Sequence, residues 1–450
     1  MLNLIWVFMI VGAVVCAAVT GQMTEISKAS TDGAKSAVEL AIGLVGVMAF
    51  WLGMMRILQQ AGLLKAMAKK FKPLMRRLFP DIPSDHPALS MMVLNISSNM
   101  LGLGNAATPF GLKAMMELDT LNKNRGVATN SMSLFLAINT SGLAVLPTGM
   151  IAMRASLGAV NPGSILVTTI AATLFSTIVA ILSCKIFERL PRFSVNNYTA
   201  ETRESPESSN EPDDLRSEID TTIAKEREQV ESSESDGVHG GVLAYLLVAA
   251  VVLAFGYALY QRAMVTVDGV HIGFLAALSQ ALRDWPLVIL LVTIVLIGHT
   301  RGVKVYDAVI DGGKEGFNVA IRIIPYLVAI MVAVAMLRAS GAIGYLVTIL
   351  EPITSLIGMP AETMPMALLR TLSGSGAFAV SADIMQTYGP DSLIGNIAAT
   401  MQGSTETTFY VLALYFGVVG IKFGRHTLLV CLLADAAGAI GAVWACRLLM

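Results

Sequence analysis

Asp32-Gly33-Ala34-Lys35 and Asp311-Gly312-Gly313-Lys314 decide the fold, because they are the best-preserved part of two copies of one module, 279 positions apart. At this offset residues 1–73 align with 280–352 without a gap. The coinciding positions include Trp6 with Trp285, Ala41-Ile42 with Ala320-Ile321, Gly62 with Gly341, and Pro73 with Pro352. A four-residue shift then aligns Leu94-Asn95-Ile96-Ser97-Ser98 with Leu369-Arg370-Thr371-Leu372-Ser373. In apolar chains such duplications are typical of transporters, whose substrate site lies between the repeats.

The composition is that of a protein in a lipid bilayer. Hydrophobic residues make up 55% of the chain and charged residues 14%, whereas soluble domains carry about 25% charged residues. The net charge of −1 excludes a nucleic-acid partner, which would select a basic surface. The expected partners are therefore the lipid bilayer and a small polar solute.

Apolar runs that approach the roughly 20 residues needed to cross a bilayer recur along the chain. They lie at 2–20, 37–58, 127–153, 164–187, 242–260, 286–299, 317–338, 394–417 and 427–449. The segments 88–116 and 363–388 are apolar but interrupted by Gly, Asn, Ser, Thr and Pro. We expect each to enter and leave on one side, as a re-entrant hairpin or a pair of short helices. The sequence predicts an all-α polytopic membrane protein with about nine transmembrane helices plus two re-entrant hairpins in two inverted repeats.

Charge predicts the orientation, because cytoplasmic loops are enriched in Lys and Arg. The connection at 56–77 and the loop holding Arg301, Lys304 and Lys314 are basic, so both are predicted to be cytoplasmic. The counterpart loop around Glu25–Lys35 has no net charge and is predicted to be outside. The helix at 242–260 has no partner in the first half, and one unpaired crossing inverts the second copy. The N-terminus is then cytoplasmic.

Three regions follow from this reading. Residues 1–187 form a first membrane repeat, and 241–450 form a second repeat that carries the extra helix at 242–260. Residues 188–240 differ in kind, because they are acidic, rich in Ser and almost without aromatics. Such a stretch cannot bury enough apolar surface to fold alone. We interpret it as a cytoplasmic linker, with a regulatory docking segment as the alternative.

Polar side chains concentrate in the first interrupted segment. They are the candidate substrate-binding residues Asn95, Ser97, Ser98, Asn99, Asn105 and Thr108. Polar groups inside hydrocarbon are costly unless paired, and irregular backbone there is tolerated where it lines a cavity. One or two such residues would act as contacts between helices. The density of this cluster favours a binding site.

The second interrupted segment has a similar composition. Ser373 and Ser375 alternate with glycines, and Asp383 adds a carboxylate further along. We include the two serines among the substrate-binding candidates. Asp383 is a candidate for ion coupling, with a charge at the outer end of a helix as the alternative.

Two crossings carry polar residues at their centres. The run from Gln402 to Thr408 adds Gln402, Ser404, Thr405 and Thr407 to the substrate-binding candidates and Glu406 to the ion-coupling candidates. Its counterpart in the first half adds Asn139, Thr140 and Ser141, followed by Gly142. Matching unwound points in two inverted repeats are expected to flank a site at the bilayer midplane.

Glu406 has an alternative role as a partner of Lys422 or Arg425. Sixteen helical residues separate Glu406 from Lys422, about 24 Å, so this pairing needs another helix arrangement. Asp435 is a lone carboxylate in the last apolar run. The sequence leaves open whether it relays a proton or pairs with a cation.

Other chemistries have little support. The histidines are dispersed and the cysteines lack CxxC spacing, so we predict no metal and no cofactor. Ser375, His426 and Asp383 come without a nucleophile elbow, so we predict no enzyme.

Three long motifs carry a family resemblance. The run from Asn95 to Met115 resembles spore maturation protein A, and the runs from Asp383 to Gly395 and from Gln402 to Val411 resemble spore maturation protein B. Both belong to the nucleoside-recognition or Gate family, which is similar to parts of concentrative nucleoside transporters and of the membrane region of the ferrous iron transporter. The resemblance covers nearly everything except the linker. It implies a bacterial inner-membrane protein and transport.

These observations favour a secondary transporter of a small polar solute, coupled to protons or sodium. The solute would be held at the repeat interface by the amides and hydroxyls named above. The competing hypothesis is a scaffold that does not transport and assembles cell-envelope enzymes. A scaffold would tolerate hydrophobic replacement of Asn99 and Gln402, whereas a transporter would not. The sequence leaves open whether the chain forms a homo-oligomer.

Overall fold

The computed structural model describes residues 2–102, 104–198, 242–267, 270–271 and 273–450. Most of the predicted linker, 199–240, lies outside the described residues. The side chain of Asn105 also lies outside the described part of the chain, although its backbone is helical.

The first half is helical from its start. Its helices are α1 (Leu2–Thr20), α2 (Met23–Gln60), α3 (Leu63–Leu78), α4 (Pro87–Met100), α5 (Gly104–Thr120), α6 (Asn130–Thr140), α7 (Thr148–Ser156) and α8 (Ile165–Phe187). Short 3₁₀ turns at Pro162–Ser164, Pro191–Phe193 and Val195–Asn197 flank α8.

The second half begins with α9 (Val242–Ala263), a two-stranded pairing of β1 (Thr266–Val267) with β2 (Val270–His271), and α10 (Phe274–Asp284). It continues through α11 (Pro286–Thr300), α12 (Val305–Ala339), α13 (Ala342–Thr354), α14 (Met364–Leu372), α15 (Gly374–Tyr388), α16 (Leu393–Ser404), α17 (Thr408–Gly417) and α18 (Thr427–Leu449). Further 3₁₀ turns lie at Ser355–Ile357 and Ala361–Thr363. The succession of long and short helices from α11 to α18 repeats that from α1 to α8.

Five helices of the described residues are long and apolar enough to cross a membrane. They are Met23–Gln60, Pro162–Phe187, Leu246–Ala263, Val305–Ala339 and Thr427–Leu449. The prediction of a helical membrane protein is thereby confirmed. The count of about nine crossings stays a prediction.

One predicted connection is wrong in its local structure and another is right only in part. The prediction makes Glu25–Lys35 a loop, but these residues lie within α2; Arg301 and Lys304 do lie between α11 and α12, whereas Lys314 lies within α12. Charged residues spaced three and four apart stabilise a helix, as Lys35 with Glu39 (3.8 Å) and Lys314 with Asp311 (3.1 Å) do here. Both helices therefore continue beyond their apolar runs as solvated extensions.

Helices α2 and α12 pack side by side in opposite directions. Gly33, near the start of α2, lies against Ala335 at the end of α12, and Gly53, near the end of α2, lies against Val309 at the start of α12. A Cβ atom built on Gly53 would lie 2.7 Å from the carbonyl oxygen of Val309. Only glycine therefore allows the two backbones to approach this closely. We refer to the contact between α2 and α12, which includes Gly33 and Gly53, as the glycine seam.

The two predicted broken crossings are each interrupted at their centres. One consists of α6 and α7, separated by residues 141–147, and the other of α16 and α17, separated by residues 405–407. The two interrupted segments likewise form helix pairs, α4 with α5 and α14 with α15.

The two broken crossings run antiparallel to each other. Arg154, in the last turn of α7, donates to the side chains of Asn396 (2.6 Å) and Asp391 (2.9 Å) at the start of the other crossing. At the opposite end Arg425, beyond α17, donates to Asn130 Oδ1 (2.8 Å) at the start of α6. Each crossing thus begins where the other ends, which brings the two breaks together.

Candidate functional site

The breaks of the two crossings touch through their backbones. The amide of Glu406 donates to the carbonyl oxygen of Thr140 at 3.0 Å. Gly142 has a φ of +59°, and a Cβ atom on it would lie 2.7 Å from the backbone of Thr405. Glycine is needed here both for the left-handed backbone and for the close approach. The crossing point is therefore built from residues of both halves.

Arg370, in the last turn of α14, holds the second break open. Its Nε donates to Thr405 Oγ1 (3.2 Å) and its Nη1 to Thr407 Oγ1 (3.3 Å), while Nη2 donates to the carbonyl oxygen of Thr405. Glu406 lies 3.6 Å from Nη2. Arg370 is 7% exposed, so its charge acts in an environment that screens it weakly. The guanidinium replaces helical hydrogen bonds that the break has removed.

A cavity of about 560 Å³ opens beside the crossing point. Its walls come from both halves: α2, the turn after α4, the first break, α12, the α14–α15 pair and the second break. The polar residues that line it are Asn99, Thr148, Tyr326, Arg370, Ser375, Gln402 and Glu406. The remainder of the lining is glycine and apolar side chains, including Phe378. This mixture is typical of small-molecule sites, which are mostly apolar with a few placed polar groups.

The α4 candidates divide between the cavity and the protein interior. Asn99 lines the cavity and donates to Asn139 Oδ1 at 3.1 Å. Asn95 is fully buried and donates to Ala107 O (2.7 Å) and Tyr415 Oη (3.2 Å).

Ser97, Ser98 and Thr108 are not among the residues that line this cavity. Ser97 and Ser98 are buried, and their hydroxyls have no hydrogen-bond partner among the described residues. Thr108 is half-buried on α5.

The polar side chains of the first break form hydrogen bonds mainly with neighbouring residues of the first half. Asn139 donates to Phe135 O (2.9 Å) and accepts from Asn99, so it orients an amide of the cavity wall. Thr140 and Ser141 bond back to carbonyls of α6, and Ser141 also contacts Thr177 Oγ1 at 2.8 Å.

The second half contributes more of the cavity wall. Ser375 and Gln402 line it, and Gln402 Nε2 donates to Gly374 O at 3.3 Å. The Gln402 Oε1 atom is buried and lacks a partner among the described residues. Ser373 caps α15 by accepting from the Gly376 amide (3.0 Å).

Three further candidates of the second break have structural partners. Thr405 and Thr407 accept from Arg370, and Ser404 contacts the carbonyl of Met401 at 3.5 Å. None of the three lines the cavity.

The two ion-coupling candidates are not brought together. Glu406 lines the cavity and its side chain is half exposed. Asp383 is not among the lining residues, and it pairs instead with Arg338 near the end of α12. The cation that faces Glu406 is Arg370. The alternative pairing with Lys422 or Arg425 is therefore not formed.

Sequence reasoning missed the three arginines that organise this region. Arg154, Arg338 and Arg370 pair with carboxylates in the structure. For Arg370 a signal existed, because the repeat alignment sets it against Asn95 within an interrupted apolar segment. An arginine in such a place needs a carboxylate or backbone oxygens around it.

The electrostatics suit a polar solute. Helices α7 and α15 both begin at the cavity, with Thr148 and Ser375 in their first turns. Helix N-termini carry partial positive charge, and the Glu406–Arg370 pair adds two charged groups to the lining. No cluster of three or more His, Cys, Asp or Glu suited to a metal occurs among the described residues.

Comparison with known proteins gives one family match. The Gate family, described as nucleoside recognition, matches residues 41–185 and 320–422. These ranges contain both breaks, both helix pairs and most of the cavity wall. No solved structure matches the chain.

Three curated proteins are similar over parts of the chain. Spore maturation protein A of Bacillus subtilis (strain 168) is 43% identical over 187 residues, which is 42% of this chain and 95% of that protein. Spore maturation protein B of the same organism is 46% identical over 155 residues, 34% of this chain and 87% of that protein. Inner membrane protein YjiG of Escherichia coli (strain K12) is 32% identical over 82 residues, 18% of this chain and 54% of that protein.

Proposed function

The chain belongs to the nucleoside-recognition (Gate) family, and from this premise we propose that it is an inner-membrane secondary transporter of a small polar solute. It is a multi-pass membrane protein, with long apolar helices and a relative named as an inner membrane protein. The observation that carries the proposal is the meeting of two broken crossings beside a charged cavity. Irregular backbone at membrane depth is tolerated only where it is buried in protein or lines a water-filled cavity, and here a cavity with polar lining residues adjoins it.

In this proposal the chain has two inverted repeats, as in concentrative nucleoside transporters. The antiparallel glycine seam and the antiparallel broken crossings support the inversion. The five long helices, the shorter α1 and α11, and the two broken crossings together would make nine crossings. The α4–α5 and α14–α15 pairs would be the re-entrant hairpins. The N-terminus and the linker would be cytoplasmic, as the basic loops indicate.

The solute would bind in the 560 Å³ cavity. Asn99, Ser375 and Gln402 would supply hydrogen bonds, and the N-termini of α7 and α15 would favour a negative or strongly accepting group of the solute. The Gln402 side chain would turn its amide toward the solute, whose donor would satisfy the Oε1 atom that is buried without a partner among the described residues. The buried candidates Asn95, Ser97 and Ser98 would support this wall from behind.

Glu406 would couple transport to an ion gradient. It is the carboxylate of the cavity wall, and its exposure allows it to exchange a proton or to meet a sodium ion from the cavity. Asp383 would take part in ion coupling only through Arg338, because Asp383 lies away from the cavity lining. The two carboxylates therefore have separable roles.

The test is ligand binding followed by uptake with the purified full chain. A thermal-shift screen with nucleosides, nucleobases and other small polar solutes would be followed by uptake of the stabilising solute into proteoliposomes. Gln402→Leu should abolish both the thermal shift and uptake, whereas Gln261→Leu, on the exposed face of α9, should change neither.

Two results would refute the proposal. One is a folded protein that takes up none of the screened solutes under any imposed gradient. The other is a Gln402→Leu and Asn99→Leu pair with the solute response of the unmodified protein, which is the behaviour expected of a scaffold.

A further inference from the structure

Asp435 is a buried carboxylate that the proposed solute site does not use. It lies in the middle of α18, is 7% exposed, and accepts from Thr408 Oγ1 at 2.7 Å. Its second oxygen, Oδ1, is buried and has no hydrogen-bond partner among the described residues. Gly438, one turn further on, lies against Thr405, so this face of α18 is turned toward the second break.

The guanidinium group of Arg370 is the positive charge for two carboxylates at this break, Glu406 and Asp435. Arg370 lies 3.6 Å from Glu406 and donates to Thr405, and α18 packs on Thr405 one turn after Asp435, so Arg370 is the cation of α14 nearest to both carboxylates along this contact. A guanidinium stays charged in proteins, so it can balance one carboxylate but not two. A second ionised carboxylate at this depth would be an uncompensated buried charge, which is strongly disfavoured. Of the two carboxylates Asp435 is the buried one, 7% exposed, whereas half of the Glu406 side chain is exposed, so an ionised Asp435 is the charge that would lack compensation.

No other strong cation faces Asp435 from the helices that pack on α18. The sequences of α6 and α16 contain no ionisable residue, and α14 contributes Arg370. The ionisable residues of α8 are Cys184 and Lys185 in its last turns, and those of α17 are Tyr410 and Tyr415. On α18 itself Cys431 lies one turn before Asp435 and interacts with it.

We propose that Asp435 is the proton-binding site of this transporter, with Arg370 as the charge that Asp435 and Glu406 share. The proposal rests on the proposed function for its coupling role. When Glu406 pairs with Arg370, Asp435 carries the proton. A solute that engages Glu406 from the cavity weakens this pairing, and the charge of Arg370 then stabilises ionised Asp435. The O–H bond of Asp435 breaks, and a water molecule that reaches the carboxyl group through the second break accepts the proton.

The proton can be observed without any solute or transport. A protonated carboxyl group has an infrared C=O stretching band that an ionised carboxylate lacks, so the full-length protein in nanodiscs would be titrated with pH by infrared difference spectroscopy. We expect a band that disappears at alkaline pH and is absent from Asp435→Asn. The band should persist in Asp383→Asn, which removes the carboxylate paired with Arg338.

Charge variants separate a proton site from a merely structural carboxyl group. Glu406→Gln removes the competing carboxylate, so the midpoint of the band should fall by at least one pH unit, a tenfold loss of proton affinity. Arg370→Gln removes the shared cation and should raise the midpoint by a similar amount. Thr408→Val removes a hydrogen bond to the carboxylate and should also raise it.

The outcomes decide the proposal in each case. A band that survives in Asp435→Asn overturns it. If Asp435→Asn does not fold, an unchanged midpoint in both Glu406→Gln and Thr408→Val overturns it equally. Absence of uptake with the Asp435 band intact would instead refute the transport function and leave the proton assignment in place.

Discussion

The backbone amide of Glu406 donates a hydrogen bond to the carbonyl oxygen of Thr140, 3.0 Å away, and so joins two helix breaks from opposite halves of the chain. Peptide groups freed by a helix break must find new partners inside a membrane. Here the two breaks share this bond, Arg370 donates to the carbonyl oxygen of Thr405, and Thr173 Oγ1 bonds the carbonyl oxygens of Ser141 and Gly142. The 560 Å³ cavity opens beside this contact.

The crossing point predicts that Gly142 cannot be replaced. Gly142→Ala should lower the free energy of unfolding by at least about 2 kcal/mol, because alanine is strained at positive φ and its Cβ would overlap the Thr405 backbone. Thermal unfolding of the detergent-solubilised protein would measure this. Gly46→Ala is the matched control, since no atom lies within 4 Å of a Cβ there. Equal stability of the two variants would contradict the close contact.

Arg370 should contribute more to stability than Arg338, which pairs with a carboxylate elsewhere in the second half. Arg370→Gln leaves a carboxylate and three oxygens of the break without their donor, so we expect a loss of about 3–5 kcal/mol. Arg338→Gln should cost less, because Arg338 bonds one carboxylate, that of Asp383, whereas Arg370 donates to three oxygens of the break. Parallel denaturation curves would compare them. A larger loss for Arg338→Gln would show that Arg370 does not hold the break.

Glu406→Gln should separate transport from coupling. Glutamine keeps the size and hydrogen-bonding capacity of glutamate but cannot gain or lose a proton. The variant should therefore insert stably and retain solute exchange. Gradient-driven accumulation in proteoliposomes should be lost. Asp383→Asn should have a milder effect, since Asp383 does not line the cavity. Normal accumulation by Glu406→Gln across a range of pH and sodium would remove Glu406 from the coupling site.

The proposed inversion predicts opposite labelling of two equivalent positions. Single cysteines near Asp32 should react with an impermeant reagent from outside the cell, and those near Asp311 from inside. In the structure Asp32 and Asp311 lie near opposite ends of the glycine seam, whose contacts at Gly33 and Gly53 are about 30 Å apart along α2. The background protein would lack Cys16, which is partly exposed. Labelling of both sites from one side would exclude inverted repeats.

The halves should assemble without a covalent link. Spore maturation proteins A and B each cover less than half of this chain but most of their own length. The glycine seam and the contact between α8 and α18 join the halves independently of the linker. Coexpressed fragments divided near Ser208 should therefore co-purify. Stable insertion of both fragments without co-purification would show that the linker does more than tether.

Local sequence signals predicted the places where helices break. The polar residues and glycine at Asn139–Gly142 and at Gln402–Thr408 are unfavourable in an unbroken transmembrane helix, and both regions are broken. The extent of α2 was underestimated, because its first turns are polar and their helicity depends on spacing rather than on hydrophobicity.

The pairings between distant helices could not be read from the sequence. Arg154 and Asp391 are 237 positions apart, and no local pattern indicates that they meet. Arg370 stood in the repeat alignment opposite Asn95, but its ligands are backbone and hydroxyl oxygens of the second break, which a residue pattern does not specify. Placing such charges requires the arrangement of the helices in space.

The glycine seam also has a consequence for biosynthesis. Gly53 leaves the ribosome roughly 260 residues before Gly312, which at about 5–20 residues per second is a delay of roughly ten to fifty seconds. During this interval α2 stands in the membrane without the helix that its glycine face accommodates. A ribosome that stalls before α12 therefore leaves an incomplete chain with that face open to lipid, and quality-control proteases can distinguish it from the finished protein.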